Sequence, residues 1–274
     1  MRAGRVGGAV NHVFAYGSAL LFVLPVYILV NLAVRPADDL SSALVPTTRP
    51  TTGNFTQAWT ESHLGGALVN SMVVTTVSCV AIVAISTMAA YPLARSAARL
   101  SNFTFSLFLL GMLLPFQVAL LPLYLMMRDA GLLGSLWSLI IFYTGLQMPF
   151  SIFLVTTFLR SSVPLEFEEA ARIDGCGDVR TFLHVVVPLL RPVLGTVVIL
   201  NAVGIWNDFF TPLLYLFGSH QVTTPVALFQ FVGLYTTNWP LIFAGLTMSM
   251  LPVLALYLIF QRYVIQGFAG GLKG

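Results

Sequence analysis

Six stretches of this chain are each long and apolar enough to cross a bilayer as a helix. They run over Val13–Val34, Ala67–Ala94, Phe103–Met127, Leu132–Leu159, Val193–Phe217 and Pro240–Ile265. A spanning helix needs about 20 mostly apolar residues, since lipid offers its backbone no hydrogen-bond partners. Charged residues make up only 8% of the chain, against about 25% in soluble domains. These features predict an all-α polytopic membrane protein, with one transmembrane domain over residues 1–274 and six transmembrane helices. The net charge of +3 is too small and dispersed to point to nucleic acid. Arg2 and Arg5 precede the first stretch as in a secretory signal. That stretch is longer than the roughly 7–15 residues of a cleaved signal core, and no small-residue cleavage site follows, so it reads as an uncleaved first span.

Orientation follows from the basic residues. With the N-terminus inside, inner segments hold Arg2, Arg5, Arg95, Arg99, Arg160, Arg172, Arg180, Arg191, Arg262 and Lys273, while outer segments hold Arg35, Arg49 and Arg128. Lys and Arg concentrate on the cytoplasmic side, so both termini are expected there. Cys79 lies in an apolar span and Cys176 in a polar loop, at different depths; no disulfide is expected.

Residues 160–192 then form the one long cytoplasmic loop, placed between the fourth and fifth spans. The sequence RSSVPLEFEEAARIDGCGDVRTFLHVVVPLLRP reads as helix, glycine break, helix. Pro164 suits a first turn, and Glu166, Glu168 and Glu169 suit the positive end of the helix dipole. Gly175 and Gly177 break the helix. Asp178 is an expected N-cap for the second helix, and Phe182, Val185 and Val186 share one of its faces. Pro188 and Pro192 end it.

By pattern alone this insert is either a surface loop or a docking element. The residue order is more specific. Glu169-Ala170-Ala171, three residues, Gly175, nine residues, Val185, one residue, Val187-Pro188 resembles the Glu-Ala-Ala … Gly … Ile-x-Leu-Pro motif of ABC importer permeases. The departures are Val at 185 and at 187. Asn54-Phe55, Asn70-Ser71, the run Ala89-Ala90-Tyr91-Pro92-Leu93-Ala94-Arg95, Trp206-Asn207-Asp208 and the glycine-rich end at Gly270, Gly271 and Lys273 are similar to features of the smaller permease in the carbohydrate-uptake, maltose-permease-like group.

This resemblance implies a heterodimer with a second permease subunit, two cytoplasmic ATPase subunits and an external solute-binding protein, in a prokaryotic cytoplasmic membrane. It implies that the helix–Gly–helix insert couples to the ATPases through Glu169, Ala170, Ala171, Asp174, Gly175 and Pro188. Small alanines would allow close approach to a groove floor. Gly270, Gly271 and Lys273 would form a flexible tail reaching the ATPases. ATP and magnesium would bind the partners: no phosphate-binding glycine–lysine loop occurs here, so the chain is expected to bind no cofactor and not to be an enzyme.

Polar groups inside the spans remain. Asp208, the only acid in an apolar stretch, is expected to face a bundle interior or water. It and Asn207 lie along a translocation path or make structural hydrogen bonds. Gln117 and Gln147, beside Pro115 and Pro149, either line that path or staple helices, since an amide offers donors and acceptors. His12, His63, His184 and His220 are scattered, and no metal site is expected. The competing classes are a membrane enzyme using Asp38, Asp39, Glu61 and His63, which lack motif spacing, and a stand-alone secondary transporter, which would show repeated halves. A narrower alternative is an ABC permease for glycerol phosphate or a polyamine.

Overall fold

The computed structural model describes the backbone of residues 3–113, 115–233 and 237–271, and the side chains from Tyr16 to Ile259 apart from 114 and 234–236, with Gln261 in addition. In chain order the helices are α1 (Ala3–Ala33), α2 (Gly53–Glu61), α3 (Leu64–Arg95), α4 (Arg99–Leu113), α5 (Phe116–Asp129), α6 (Leu136–Ser162), α7 (Glu166–Ile173), α8 (Asp178–Thr181), a π-helical turn (Phe182–Val186), α9 (Val187–Leu189), α10 (Arg191–Asn207), α11 (Phe210–Tyr215), α12 (Thr224–Phe229) and α13 (Trp239–Gly271). Among the described residues, extended pairing is limited to one isolated bridge, Val232 with Thr237.

Four helices are long and apolar enough to cross a membrane, in α1, α3, α6 and α13. The number rises to six if each of two bent pairs is one span: α4 with α5, bent by 99°, and the segment 178–189 with α10, bent by 70°. The third apolar stretch is therefore not a single helix, and the fifth, which starts after the 70° bend, is interrupted between α10 and α11. Pro115 stands extended at ψ 118° before α5, and proline has no N–H to continue a helix across it. In the fifth stretch α10 stops at Asn207, and Asp208 is extended at ψ 124°. Its carboxylate accepts from the amides of Phe210 (3.0 Å) and Thr211 (3.3 Å) and so restarts the chain as α11. An acid satisfied by backbone donors favours a helix start over a helix interior.

The chain divides into two compact units. One comprises residues 1–67 and 224–251. Here the loop after α1 is braced from the helix end. Arg35 is 2% exposed. Its guanidinium donates to the carbonyls of Ser41, Ser42 and Val45. Asn31 donates to Ala43 O (2.8 Å) and Val45 O (2.9 Å) and accepts from Thr47 N (3.1 Å). Asn54 on α2 donates to Ala33 O (2.9 Å) and Arg35 O (2.8 Å), which satisfies carbonyls that the end of α1 leaves open. Donation from the Ser41 hydroxyl and amide, aided by Thr47 and the nearby Arg35 charge, holds the Asp39 carboxyl at about 2. Asp38 pairs with Arg49 at 2.9 Å, Glu61 accepts from Gln57 at 2.8 Å, and His63 takes a left-handed φ of 48° in the turn to α3. These acids serve loop geometry. In the same unit, a Cβ at Gly245 on α13 would lie 2.2 Å from the Leu228 side chain of α12, so a larger residue there would need Leu228 to move.

The second unit comprises residues 68–223 and 252–274, and α6 runs through its core. Leu139, Val155 and Leu159 of α6 are fully buried, as are Val186, Leu190 and Val197 from the following elements. Small polar residues on buried helix faces replace bulk with close approach: Ser138, Ser151 and Thr156 are each 0% exposed. Asn201 of α10 donates to the Ser151 hydroxyl at 3.2 Å, a bond of the kind that joins helices in lipid. Phe142, Tyr143 and Tyr215 pack edge to face at 5.3–5.5 Å between centroids.

Candidate functional site

The insert between α6 and α10 folds as helix, glycine turn, helix. Its first helix begins at Glu166, two residues after Pro164, so the proline precedes the helix and does not occupy its first turn. Three acids, Glu166, Glu168 and Glu169, stand in that turn. The helix closes in a Schellman arrangement. Cys176 N donates to Ala171 O (2.9 Å) and Gly175 N to Arg172 O (3.0 Å). Gly175 holds φ +84°, a conformation reached cheaply only by glycine. Gly177, not Asp178, is the N-cap of α8. Asp178 is its first residue and faces Arg172 at 3.4 Å. The second helix is not regular: it passes through the π-helical turn before Pro188, with Phe182 and Val185 half-buried and Val186 fully buried. Pro188 is half-buried in α9.

Helical periodicity divides α7 into two faces. Glu168 and Ala171, three apart, are buried; Phe167, Glu169, Ala170, Ile173, Asp174 and Gly175 are exposed. The adjacent alanines thus differ. Ala170 lies on the open surface, whereas Ala171 is 8% exposed and packs into the chain's own core. Of the two alanines expected to meet a partner, Ala170 stands on the open surface and Ala171 is turned inward. The open face is apolar for a loop: Phe167 is 52% and Ile173 87% exposed.

The inward face carries residues whose joint role sequence reasoning missed. Glu168 is fully buried and meets Arg95 Nε at 2.7 Å. Its second carboxylate oxygen accepts from the Tyr91 hydroxyl at 2.9 Å. Arg95 also donates to Val163 O at 2.8 Å and reaches Leu159 O at 3.5 Å. Arg160 donates to Leu93 O at 2.7 Å and lies 4.9 Å from the Phe105 ring centroid. The signal was present: Tyr91 and Arg95 stand i, i+4 on α3 and so share a face. What was lacking was the identity of the acid they meet.

The polar groups of the spans separate into bound and open. Asp208 accepts from the Tyr143 hydroxyl at 2.9 Å as well as from its two amides, so it is a structural junction between α6, α10 and α11. Asn207 is exposed but turns its amide back to Val203 O at 2.8 Å. Gln147 is half-buried on α6, and its Nε2 would lie 3.9 Å from a Cβ at Gly204 of α10. Gln117 is exposed on α5. The backbone of α13 continues through Gly270 and Gly271, so the glycine-rich segment starts as helix and not as the loose tail expected. A long helix carries glycine at a cost of about 1 kcal/mol each. Lys273 lies outside the described residues.

Comparison with known proteins places this geometry. Residues 81–270 match the family described as binding-protein-dependent transport system inner membrane component. The chain is 36% identical over 252 residues to the melibiose/raffinose/stachyose import permease protein MelC of Bacillus subtilis (strain 168), covering 92% of this chain and 91% of that protein. It is 32% identical over 255 residues to the multiple sugar-binding transport system permease protein MsmG of Streptococcus mutans, covering 92% of each. Its fold is similar to that of a chain in the crystal structure of a bacterial ABC transporter involved in the import of the acidic polysaccharide alginate. The TM-score there is 0.82 at 23% identity, over 96% of this chain and 98% of that one. With the family match spanning most of its length and the insert folded as described, this chain belongs to the binding-protein-dependent transport system inner membrane components, the permeases of ABC importers.

Proposed function

We propose that this chain is one half of the pore of an ATP-driven importer for a sugar or oligosaccharide. It crosses the cytoplasmic membrane six times with both termini inside, each bent helix pair or interrupted stretch counting as one span. A second permease subunit completes the path, two cytoplasmic ATPases supply the energy with their own ATP and magnesium, and an external binding protein delivers the solute. The carbohydrate assignment is supported by relatives named for sugar import. The observation that carries the coupling role is the two-faced α7. Its inner face is locked to the chain, while Phe167, Ala170 and Ile173 stand open beside Glu169, Asp174 and Gly175. That open face docks on an ATPase, and Pro188 helps to redirect the chain toward α10. Gln147 and Asn207 border the path, with Asp208 fixing the helix break beside it; Gln117 on α5 borders it independently, and the segment from Gly270 to Lys273 reaches the ATPases.

The test is reconstitution. The purified chain alone in liposomes is expected to show neither ATP hydrolysis nor saturable sugar flux. Flux should appear when the second permease, the ATPases and the binding protein are added. Robust flux from the single chain would sink the half-pore reading.

The topology is tested separately. Single cysteines at Thr52 and Gln221, both exposed, should react with an impermeant maleimide added outside intact cells, and one at Gly177 should react only after lysis. Outside labelling at Gly177 would invert the orientation, since like-signed loops stay on one side.

A further inference from the structure

The insert is held unequally at its two ends. On the α7 side, a buried carboxylate is gripped by two side chains of one helix: Glu168 is 0% exposed and bonded to Arg95 and Tyr91 of α3. Arg95 in turn binds the carbonyl of Val163, just after α6. One guanidinium thus ties together the end of α3, the end of α6 and the inner face of α7. On the other side the link to α10 runs through a π-helical turn and a 70° bend at Leu190. Neither side of that bend is closed by an ion pair of this kind among the described residues.

We propose that Arg95 and Glu168 are the positioning pair that makes α7 a rigid extension of α3 and α6, so that a push on the open face of α7 moves those two helices as one body. The turn at 182–190 is the compliant side, where the insert and α10 change angle. This inference rests on the docking reading of α7. The physical reason for choosing this pair is directional. A guanidinium with fixed fork geometry resists rotation of α7 in more than one plane. A buried charge that loses its partner has no water to replace it. An apolar contact such as Ala171 with its neighbours would leave α7 free to rock.

The test uses the complete reconstituted importer and reads sugar transported per ATP hydrolysed. A merely structural defect lowers transport and hydrolysis together and leaves this ratio unchanged. In Arg95→Gln and in Glu168→Gln, assembly with the ATPase should persist because the open face of α7 is untouched. Transport per ATP should fall by at least about tenfold, because a stranded buried charge disturbs its surroundings by more than one factor of ten. The double variant should be no worse than either single one, since one interaction is lost in all three. An unchanged ratio in both single variants would overturn the proposal. Should both prove too poorly inserted to assay, Tyr91→Phe decides. It removes only the hydroxyl bond to Glu168, so a ratio lowered about twofold to threefold, as for one lost hydrogen bond, supports the pair, and a wild-type ratio overturns it. Ala170→Trp separates this inference from the reading beneath it. Wild-type assembly and transport in that variant would remove the docking role of α7 itself, whatever the Glu168 variants do.

Discussion

Replacing Gly175 with valine is expected to uncouple the importer while leaving the chain in the membrane. Gly175 sits at φ +84°, closing α7 by donating to Arg172 O. No atom lies within 4 Å of a Cβ added there. The cost is therefore conformational and not steric, roughly 1–3 kcal/mol for a residue forced into this region, with a β-branched side chain at the upper end. The chain is expected to relieve that strain by unwinding the last turn of α7, which would displace Ala170 and Ile173 from the proposed docking surface. Because 1.4 kcal/mol is a factor of ten, the intact turn should lose about one to two orders of magnitude in population relative to its unwound form. Uptake should fall correspondingly, with insertion of the spans unchanged by cysteine labelling. Gly175→Asn is the control. Asparagine tolerates the left-handed region, so it should retain most of the uptake. Equal loss in the asparagine and valine variants would mean that φ is not what the position demands.

A second large effect is expected in the loop after α1. Arg35→Met keeps the aliphatic stem but removes the guanidinium that binds the carbonyls of Ser41, Ser42 and Val45. Hydrogen bonds to a charged group contribute about 1.5–3 kcal/mol. Some of that is recovered as water reaches the carbonyls, so a net local loss of about 2 kcal/mol is expected. That corresponds to roughly thirtyfold more frequent opening of the loop. Asn31 and Asn54 still hold parts of the segment, so the change should be confined to it. Hydrogen exchange at the Thr47 and Leu44 amides, compared with amides inside α6, measures it directly. Protection at Thr47 equal to wild type would show that Asn31 alone holds the loop. On the proposed topology this segment lies on the external side, so a variant with wild-type transport and a loosened loop would separate loop order from solute delivery.

The membrane class, the all-helical composition and the place of the insert were legible in the sequence, because each rests on local chemistry. Long apolar runs have few alternatives to helix in lipid, and Gly175 in the pattern Ala171-Arg172-Ile173-Asp174-Gly175 marks a helix end by the conformation only it reaches. Breaks within spans were legible only in part. Pro92, Pro122, Pro149 and Pro252 lie inside helices, whereas Pro115 stands at a helix boundary, and nothing local distinguishes them. Asp208 read as an intramembrane acid, but its function as the start of α11 and as acceptor for Tyr143 depends on a tyrosine 65 positions away.

The sequence by itself determined that the long apolar segments are mainly helical, which segment stays polar, and where that segment turns, since propensity, hydrophobicity and glycine geometry act over a few residues. It did not determine which face of α7 is open. Ala170 and Ala171 are chemically identical neighbours, and only packing makes one surface and the other core. Nor did it reveal that, of three glutamates in one helical turn, Glu168 alone is buried against an arginine 73 positions earlier. Such pairings are decided by tertiary structure, because a buried charge is tolerated only where distant parts of the chain bring it a partner.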